Sequence, residues 1–516
     1  MERILKNIKS FAVASIIIIC LYFFLRVLIF SYSDYNILEK FFSVLLLLGE
    51  TYILIHALGF MLHIFMLGSE KKEPIKKEII PGEEPSVAIV VAARHEPKDV
   101  VEGTIVTFKN LDYPNKSIYF LDDSSEQNYK DEADKIAERH GIKVFRRSER
   151  HGAKAGIIND FLKTMTEKYI AIFDADQNPM PHFLKEIIPI LEADPKLAFV
   201  QTPQFYSNIG ENLITKASAM QQSLFFEIIC EGKNATGSMF CCGTNVIFRR
   251  EALLDVGGFE EEFITEDFAT SVKLHMKGWR SWYYNHVIAF GMGPQTLPAY
   301  FKQQSRWAGG TISVFRKIVF SFLKNPFSLP LIQWWEYFIS GTYYFVGWAF
   351  FFLMICPIVF LLFNIPSFFL APEVYLTIYV PYFALTFLIF FVSMKERRYS
   401  FIQIYYGTIL GSLSFPILMK AALYGILGKK MSFVITSKNK AEVFPLIYLW
   451  PYIVMILLSV AALIFGFIRL KNNFPAIMIN MFWTFYHLII LLQIFRFNKM
   501  PEIGGEEKAR WVTLKN

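Results

Sequence analysis

The sequence is short of charge and of cysteine, and both shortages exclude classes of protein. Only 19% of its 516 residues are charged and 54% are hydrophobic, whereas disordered chains are highly charged and weakly hydrophobic. The five cysteines form no CxxC pair and no Cys/His spacing typical of zinc, so neither a disulfide framework nor a structural zinc site is expected. The net charge of +7 is too modest to indicate a nucleic-acid partner. No phosphate-binding loop of the P-loop ATPase type and no internal repeat is present.

What the sequence does contain is long apolar runs, which predict membrane-spanning helices. A helix of about 20 apolar residues crosses the ~30 Å hydrocarbon core of a bilayer. The first run follows a basic start but precedes no small-residue cleavage site, so we interpret it as an uncleaved helix and not as a signal peptide. Two spans are therefore predicted before a polar region and four after it, at 11–30, 41–67, 334–363, 375–394, 444–468 and 475–496.

Lysine and arginine positions predict the orientation in the membrane. If the basic N-terminus lies inside, the polar region falls in the cytoplasm, and so do residues 397–443 and the tail. The last two segments carry lysine and arginine, as the positive-inside rule predicts for cytoplasmic segments. The loop 469–473 would lie outside and is also basic, against this trend. We expect a multi-pass protein of the plasma membrane with a cytoplasmic domain. The predicted parts are 1–67 (two spans), 68–84 (linker), 85–296 (cytoplasmic domain), 297–330 (amphipathic interface helices), 331–497 (four spans with an interface helix) and 498–516 (tail).

The cytoplasmic domain is predicted to be α/β. Short β-rich runs alternate with helical patterns, which indicates a mainly parallel sheet covered by helices. Ligands of such sheets bind beyond the carboxyl ends of the strands, and acidic pairs stand there, at Asp122–Asp123 and at Asp174 and Asp176. The predicted strands are 86–93, 117–121, 142–145, 168–173 and 197–202.

Asp174 and Asp176 are candidate ligands of a divalent metal ion. They are two residues apart after an apolar run, so in extended backbone both carboxylates point to the same side. Carboxylate oxygens suit Mg²⁺ or Mn²⁺, hard cations that keep positions open for substrate phosphates. The alternative is that Asp174 and Asp176 lie in a solvent-exposed turn and bind no metal ion.

Two further motifs carry groups that could act in catalysis or binding. Thr265, Glu266 and Asp267 open a helical pattern; either they cap that helix or one carboxylate is a general base. Gln303-Gln304-Ser305-Arg306-Trp307 places an amide, a guanidinium and an indole on one helix face, suited to a diphosphate and a sugar ring. The alternative for this motif is an interfacial helix with an Arg–Trp belt.

The region also holds a cation and a glycine suited to close contact with a ligand. Lys154 lies where the chain turns into a helix, so the cation and the helix N-terminus could both meet phosphate. Gly243, between small or polar residues, allows a ligand or backbone to approach closely. Cys241 and Cys242 have no nearby basic group, so we interpret them as small packing residues and not as nucleophiles.

Together, the order and spacing of these motifs resemble the processive β-glycosyltransferases of glycosyltransferase family 2. The matching motifs are FLDDSS (120–125), HGAKAG (151–156), DAD (174–176), QTPQF (201–205), FCCGT (240–244), TED (265–267) and QQSRW (303–307). A later segment, FVITSK (433–438), is similar to the FxVTxK gating loop of cellulose synthases, with Ile for Val. Within the family the chain therefore looks most like the catalytic subunits of bacterial cellulose synthases.

The resemblance implies a GT-A-like domain that transfers a hexose, with glucose as first choice, from a UDP-sugar to a growing β-linked polysaccharide and exports the product. It implies Mg²⁺ or Mn²⁺ at Asp174 and Asp176, a base at Asp267 and a partnership with the bilayer, and it leaves room for accessory export subunits. Further implied roles are donor binding by Glu96, Asp122 or Asp123, Lys154, Asp174, Gln303 and Arg306, an acceptor or channel-entrance role for Cys242, Gly243, Thr244 and Trp307, and a mobile loop with Phe433, Thr436 and Lys438.

Some positions depart from the family pattern, and other functions stay open. The YNEP-like segment reads ARHEP (93–97), which keeps Glu96 but loses the Asn, and the DDGS-like turn reads DDSS. These departures put the nucleoside contacts in doubt. The alternatives are a transferase that glycosylates a lipid phosphate, a synthase of a mannan, chitin-like or hyaluronan-like polymer, and a transporter with an inactive α/β domain.

Overall fold

The structure, a computed structural model, describes residues 2–67, 73–368, 372–397, 399–429, 442–471 and 473–499. It begins with two long helices, α1 (Glu2–Tyr32) and α2 (Ile37–Leu67). The Arg26 Nε atom donates to Glu50 Oε2 at 2.6 Å, and both side chains are buried. An ionisable group within an apolar helix is stable only with a partner, so this pair explains the charges that interrupt both apolar runs.

An α/β domain follows, as predicted. Its elements are β1 (Val87–Ala93), α3 (Lys98–Lys109), β2 (Lys116–Asp122), α4 (Gln127–His140), β3 (Lys143–Phe145), α5 (Ala153–Thr164), β4 (Tyr169–Phe173), β5 (Asn178–Pro179), α6 (Phe183–Ala193), β6 (Leu197–Gln201), β7 (Phe205–Tyr206), α7 (Leu213–Leu224), α8 (Cys230–Ala235), β8 (Val246–Arg249), α9 (Arg250–Asp255), α10 (Glu266–Met276), β9 (Arg280–Tyr283) and β10 (Ala289–Gly291). A π-helical turn, Phe225–Ile229, joins α7 to α8.

The main sheet is mostly parallel. Its strand order is β3-β2-β1-β4-β8-β6-β9, and a small sheet has the order β5-β10-β7. Strands β3, β2, β1 and β4 run parallel, as do β6 and β9, whereas β8 is antiparallel to β4 and β6. The five predicted strands are confirmed within one residue at each end. Strands β8 and β9 were not predicted, because runs of four residues are too short to show a period.

The centre of the sheet is buried on both faces. In β1, Val87, Ile89 and Val91 pack into one core, and Ala88 and Val90 pack into another on the opposite face. A parallel strand covered on both sides needs apolar residues at every position, which is why the sequence of β1 does not alternate. This buried frame fixes the ends of β1, β2 and β4, where the acidic residues lie.

Beyond β10, most of the described chain is helical. Its helices are α11 (Leu297–Lys324), α12 (Leu331–Thr342), α13 (Val346–Phe363), α14 (Pro372–Glu396), α15 (Phe401–Leu413), α16 (Phe415–Ile426), α17 (Trp450–Ile468), α18 (Phe474–Leu492) and α19 (Ile494–Phe497). The single helix α11 confirms the helical pattern predicted from 297 onwards.

Five helical segments of the described chain are long and apolar enough to cross a membrane, which makes this a multi-pass membrane protein. The sixth predicted span, 375–394, lies within α14, whose described apolar part, Tyr379–Met394, is shorter than the others. The interface helix predicted within 397–443 is the bent pair α15 and α16, whose axes differ by 50°. Taken together, these two helices are also apolar enough to span a membrane. The five segments are Lys9–Tyr32, Ile37–Leu67, Leu331–Phe363, Leu446–Ile468 and Phe474–Phe497.

Candidate active site

A cavity of about 1110 Å³ lies beyond the carboxyl ends of β1, β2 and β4, and α11 lines another of its sides. This is where an open α/β sheet binds its ligands, and the volume suits a nucleotide sugar. The predicted site residues that line it are Glu96, Asp123, Lys154, Asp174, Asp176, Cys242, Gly243, Glu266, Asp267, Gln303, Arg306 and Trp307. Thr244 and Asp122 are not among the lining residues, and Phe433, Thr436 and Lys438 fall outside the described part of the chain.

The two aspartates after β2 point in different directions. The Asp122 side chain is fully buried; its Oδ2 accepts from Arg146 Nε at 2.7 Å and its Oδ1 from the Ser124 N–H at 3.1 Å. Asp123 faces the cavity and accepts from Arg147 Nε at 2.9 Å and from Arg150 Nε at 3.0 Å. Of the two residues that the sequence left open for nucleoside binding, Asp123 is therefore the one placed to reach a ligand.

Lys154 connects the end of β4 to the 240–244 loop. Its ammonium forms an ion pair with Asp174 and donates to the Gly243 carbonyl oxygen at 2.8 Å. The Asp174 N–H donates to Thr244 Oγ1 at 2.9 Å, so Thr244 supports the strand end from behind. Burial disfavours the ammonium ion, but the carboxylates of Asp174 and Glu266 outweigh it and raise the pKa of Lys154. The lysine therefore stays charged in the cavity.

The TED segment begins α10, but its threonine does not cap the helix. Thr265 stands at the N-cap position, yet its side chain accepts no capping hydrogen bond, and its buried Oγ1 has no partner among the described residues. Instead it packs against α11: a Cβ atom built at Gly310 would lie 2.7 Å from Thr265 Cγ2. Of the two alternatives for this segment, capping by the Thr265 side chain is therefore wrong, although Glu266 and Asp267 do stand in the first turn of α10. Gly310 lets α11 pack closely against Thr265.

Glu266 and Asp267 sit together beside Lys154. The Asp267 Oδ1 atom accepts from the Phe268 N–H at 2.8 Å. Burial raises the pKa of both carboxyl groups; the Asp267 charge raises that of Glu266 further, and Lys154 acts in the opposite direction on both. A carboxylate with a raised pKa is a better proton acceptor near neutral pH. Either group could therefore act as a general base.

The QQSRW segment forms a turn of α11. Thr296 caps this helix by accepting from the Ala299 N–H at 3.3 Å, and Pro298 lies in its first turn. Gln303, Arg306 and Trp307 all line the cavity. The predicted single helix face is thus observed, and it lines the same cavity as the strand ends that carry the aspartates.

Two glutamines of the QTPQF segment hold the loop that carries Cys242. Gln201 Oε1 accepts from the Cys242 N–H at 2.8 Å, and Gln201 Nε2 donates to the Thr244 carbonyl oxygen at 2.8 Å. Gln204 Nε2 donates to the Cys242 carbonyl oxygen at 3.1 Å. The sequence analysis identified this motif but assigned it no role. The loop that both glutamines bind lies about 40 residues further along the chain, so the sequence does not reveal the contact.

The cavity offers few ligands for a metal ion from the protein itself. Within the described ranges, no group of three or more His, Cys, Asp or Glu residues is placed to hold one. Asp174 and Asp176 both line the cavity, and one Asp174 oxygen is engaged by Lys154. Two carboxylates fit a hard cation that takes its other ligands from substrate phosphates and water.

Comparison with known proteins identifies a family model and curated relatives that this chain resembles. Residues 85–310 match the family model described as "Glycosyltransferase like family 2". The chain is 28% identical over 436 residues, 81% of its length, to the "Cellulose synthase catalytic subunit [UDP-forming]" of Pseudomonas fluorescens (strain SBW25). It is 27% identical over 471 residues, 88% of its length, to the "Cellulose synthase 1 catalytic subunit [UDP-forming]" of Komagataeibacter xylinus. The chain spans 57% and 61% of these two relatives.

A solved structure shows the same fold. A mannosyltransferase from Pyrobaculum calidifontis in complex with GDP-Man and Mn²⁺ matches 75% of this chain and 100% of its own, with a TM-score of 0.50 and 18% identity. The α/β domain therefore has the GT-A fold that the sequence predicted.

Proposed function

We propose that this chain, whose residues 85–310 form a family 2 glycosyltransferase domain, transfers a hexose from a UDP-sugar to the end of a growing β-linked polysaccharide. The proposal rests on one observation: Asp174, Asp267 and Trp307, which are far apart in sequence, line a single cavity. The UDP-forming cellulose synthase subunits that the chain resembles make glucose the first donor to test.

The donor would lie along the strand ends. Glu96 and Asp123 would contact the nucleoside, and Lys154, Gln303 and Arg306 would contact the diphosphate. A planar guanidinium and an ammonium are the usual partners of phosphate. Asp174 and Asp176 would hold Mg²⁺ or Mn²⁺, which when bound supplies positive charge to the diphosphate.

The transfer itself needs a base and a leaving group on opposite sides of the sugar. Asp267 would take the proton from an acceptor hydroxyl as that oxygen attacks the anomeric carbon. The bond from that carbon to the UDP oxygen breaks, and its electron pair leaves with UDP, so the configuration inverts. Lys154 and Arg306 stabilise the charge that develops on UDP. Trp307 would stack on the acceptor sugar, beside Cys242 and Gly243, and Glu266 would assist the base.

Repeated transfer would push the product through the membrane helices. Elongation would supply the energy, and the segment 433–438 would close over bound donor. In this proposal the α/β domain faces the cytoplasm, the helices span the plasma membrane, and accessory subunits receive the polymer.

The experiment is to supply the purified full chain in vesicles with a panel of nucleotide sugars and Mg²⁺ or Mn²⁺. We expect UDP release and a polymer that a linkage-specific hydrolase degrades, found in the lumen of inverted vesicles. The Asp267→Asn variant is the control. A glycolipid product would replace the proposal by lipid glycosylation, and product retained on the enzyme side would contradict export.

A further inference from the structure

His151 connects two segments at the rim of the cavity through both nitrogens of its ring. Its Nδ1 atom lies 2.5 Å from Glu261 Oε2, and its Nε2 atom lies 2.9 Å from Asp160 Oδ2. A carboxylate only accepts hydrogen bonds, so both ring nitrogens must donate and the imidazole must carry a positive charge. This contact of His151 with Asp160 and Glu261 forms a clasp between the turn that precedes α5 and the loop that follows α9.

The loop after α9 forms part of the cavity wall and leads to the carboxylates of α10. Its last five residues, 261–265, all line the cavity. Asn159 of α5 holds the middle of this loop, because its Oδ1 accepts from the Phe259 N–H at 2.7 Å and its Nδ2 donates to Glu261 Oε1 at 2.7 Å. The clasp therefore adds a charged contact to a neutral one, and both oxygens of Glu261 are bound.

The turn on the other side of the clasp carries Lys154 into the cavity, and its backbone is strained. Gly152 has a φ of +55° and Ala153 a φ of +47°, and a positive φ is uncommon for alanine. Strain of this kind persists only where the surroundings impose it. The Arg147 guanidinium donates to the carbonyl oxygens of His151 and Ala153. Arg147 thus holds the main chain of the turn, and the clasp holds the side chain at its start.

The charge on the clasp depends on pH. The hydrogen bond to Glu261 raises the pKa of His151 above its ordinary value of about 6.5, although burial opposes this. The other charged groups around the ring are Asp160, which also accepts from Lys163 at 2.9 Å, and Arg147, whose Nη1 atom lies 4.0 Å from Asp160 Oδ2. Because the pKa is raised in the folded protein, the clasp is complete below about pH 6.5 and is lost as the pH rises through the raised pKa.

Loss of the proton changes what an anionic ligand meets at the rim. A neutral imidazole donates from only one nitrogen, so one of the two carboxylates loses its hydrogen bond. The charge of Glu261, which lines the cavity, is then no longer offset, and it opposes a diphosphate. The loop after α9 also loses its charged contact with the turn that carries Lys154.

We propose that protonated His151 is a positioning residue, which holds the loop 256–265 against the turn before Lys154 and thereby strengthens nucleotide binding in the cavity. His151 acts through these segments, since it is not among the residues that line the cavity. The effect on nucleotide binding rests on the proposed function, whereas the contact between the loop and the turn does not.

The first test is to measure the dissociation constant of UDP for the full chain by calorimetry, with Mg²⁺, between about pH 6.5 and 9. We expect the wild type to lose about three- to fivefold in affinity as His151 loses its proton, which is what a partly exposed charge pair contributes at most. His151→Gln should bind UDP at every pH as weakly as the wild type does at the highest pH. Glu261→Gln should move the midpoint of the loss to lower pH, because it removes the carboxylate that stabilises the proton. The ionisation of UDP itself is common to all variants.

The second test follows the loop and needs no ligand. Amide hydrogen exchange of residues 256–265 is compared between the wild type and His151→Gln at the same pH, so that the intrinsic exchange rate is the same in both. We expect faster exchange in the variant at about pH 6.5 and equal exchange at about pH 9, where the wild-type clasp has lost its charge.

His140→Gln is the matched control. His140 Nε2 also lies 3.0 Å from a carboxylate, that of Glu102, but neither residue lines the cavity. The control should leave UDP affinity and its pH dependence unchanged.

If His151→Gln weakens UDP equally at every pH and keeps the wild-type pH dependence, His151 is a packing residue and the inference is wrong. Equal exchange of the loop in both proteins at about pH 6.5 would also contradict it. A wild type that binds no UDP at any pH would instead contradict the proposed function, and the exchange comparison would still decide whether the clasp holds the loop.

Discussion

The backbone of Gly243 lies directly against the carboxylate of Asp267. A Cβ atom built at Gly243 would stand 2.9 Å from Asp267 Oδ2, and the Gly243 φ is +83°. Its carbonyl oxygen accepts from Lys154 at 2.8 Å. Gly243 therefore lies between the Asp267 carboxylate and the Lys154 ammonium. Any side chain at this position would occupy the space in front of the carboxylate.

Gly243→Ala should reduce catalysis far more than stability. The left-handed backbone costs a substituted alanine about 1 kcal/mol of unfolding free energy, and its methyl group displaces Asp267. We expect kcat to fall at least about tenfold, since small misplacements of a catalytic group have large effects. Gly278→Ala is the matched control, because Gly278 has a φ of +87° but open space around its Cβ position. Equal losses of kcat in the two variants would contradict this role of Gly243.

Asp267→Asn should keep UDP-sugar binding and lose turnover. The amide has the size of the carboxylate but cannot accept a proton, and a general base contributes about 10²–10⁴-fold to rate. Donor dissociation constants and UDP release measure the two effects separately. Glu266→Gln serves as the comparison at the neighbouring carboxylate. Should Glu266→Gln lose the turnover and Asp267→Asn keep it, the base is Glu266.

Features set by local pattern could be predicted from the sequence, whereas those set by distant partners could not. The α11 face of Gln303, Arg306 and Trp307 follows from helical spacing alone. The choice between Asp122 and Asp123 depends on arginines more than 20 residues away, which pair with each of them differently. The partner of Thr265 is likewise α11, over 40 residues further on. No spacing rule connects such segments before the chain folds.

Protein stability should depend on pH through the two buried carboxyl groups. Burial raises the pKa of Glu266 and Asp267 above their unfolded values, so the folded state binds more protons than the unfolded state. Their ionisation therefore destabilises the fold as pH rises from about 4, the ordinary carboxyl range, towards neutrality. Asp267→Asn removes one of these groups, so it should raise Tm relative to wild type more at pH 8 than at pH 5. A Tm difference that is independent of pH would mean that burial does not disfavour the ionised form of Asp267.

An unpaired buried charge should also destabilise the fold where the α/β domain contacts the apolar helices. Lys233 of α8 donates to Glu336 Oε2 of α12 at 2.7 Å, and His63 Nε2 of α2 lies 2.9 Å from Glu336 Oε1. All three side chains are at most 3% exposed. Glu336→Leu leaves the Lys233 charge without its carboxylate, and breaking a buried pair in this way typically costs about 3–5 kcal/mol.

The double variant Lys233→Met with Glu336→Leu removes both charges and should recover much of that loss, since well-packed apolar residues can replace a buried pair. Tm of the purified chain in detergent, measured for the single and double variants, gives the comparison. The exposed pair Lys185–Asp112, 2.5 Å apart, is the control, and its single variants should shift Tm little because surface pairs contribute at most about 1 kcal/mol. A double variant that is less stable than Glu336→Leu would contradict this expectation. It would mean that Lys233 stabilises the contact between the domain and the helices through further contacts, and not only by neutralising Glu336.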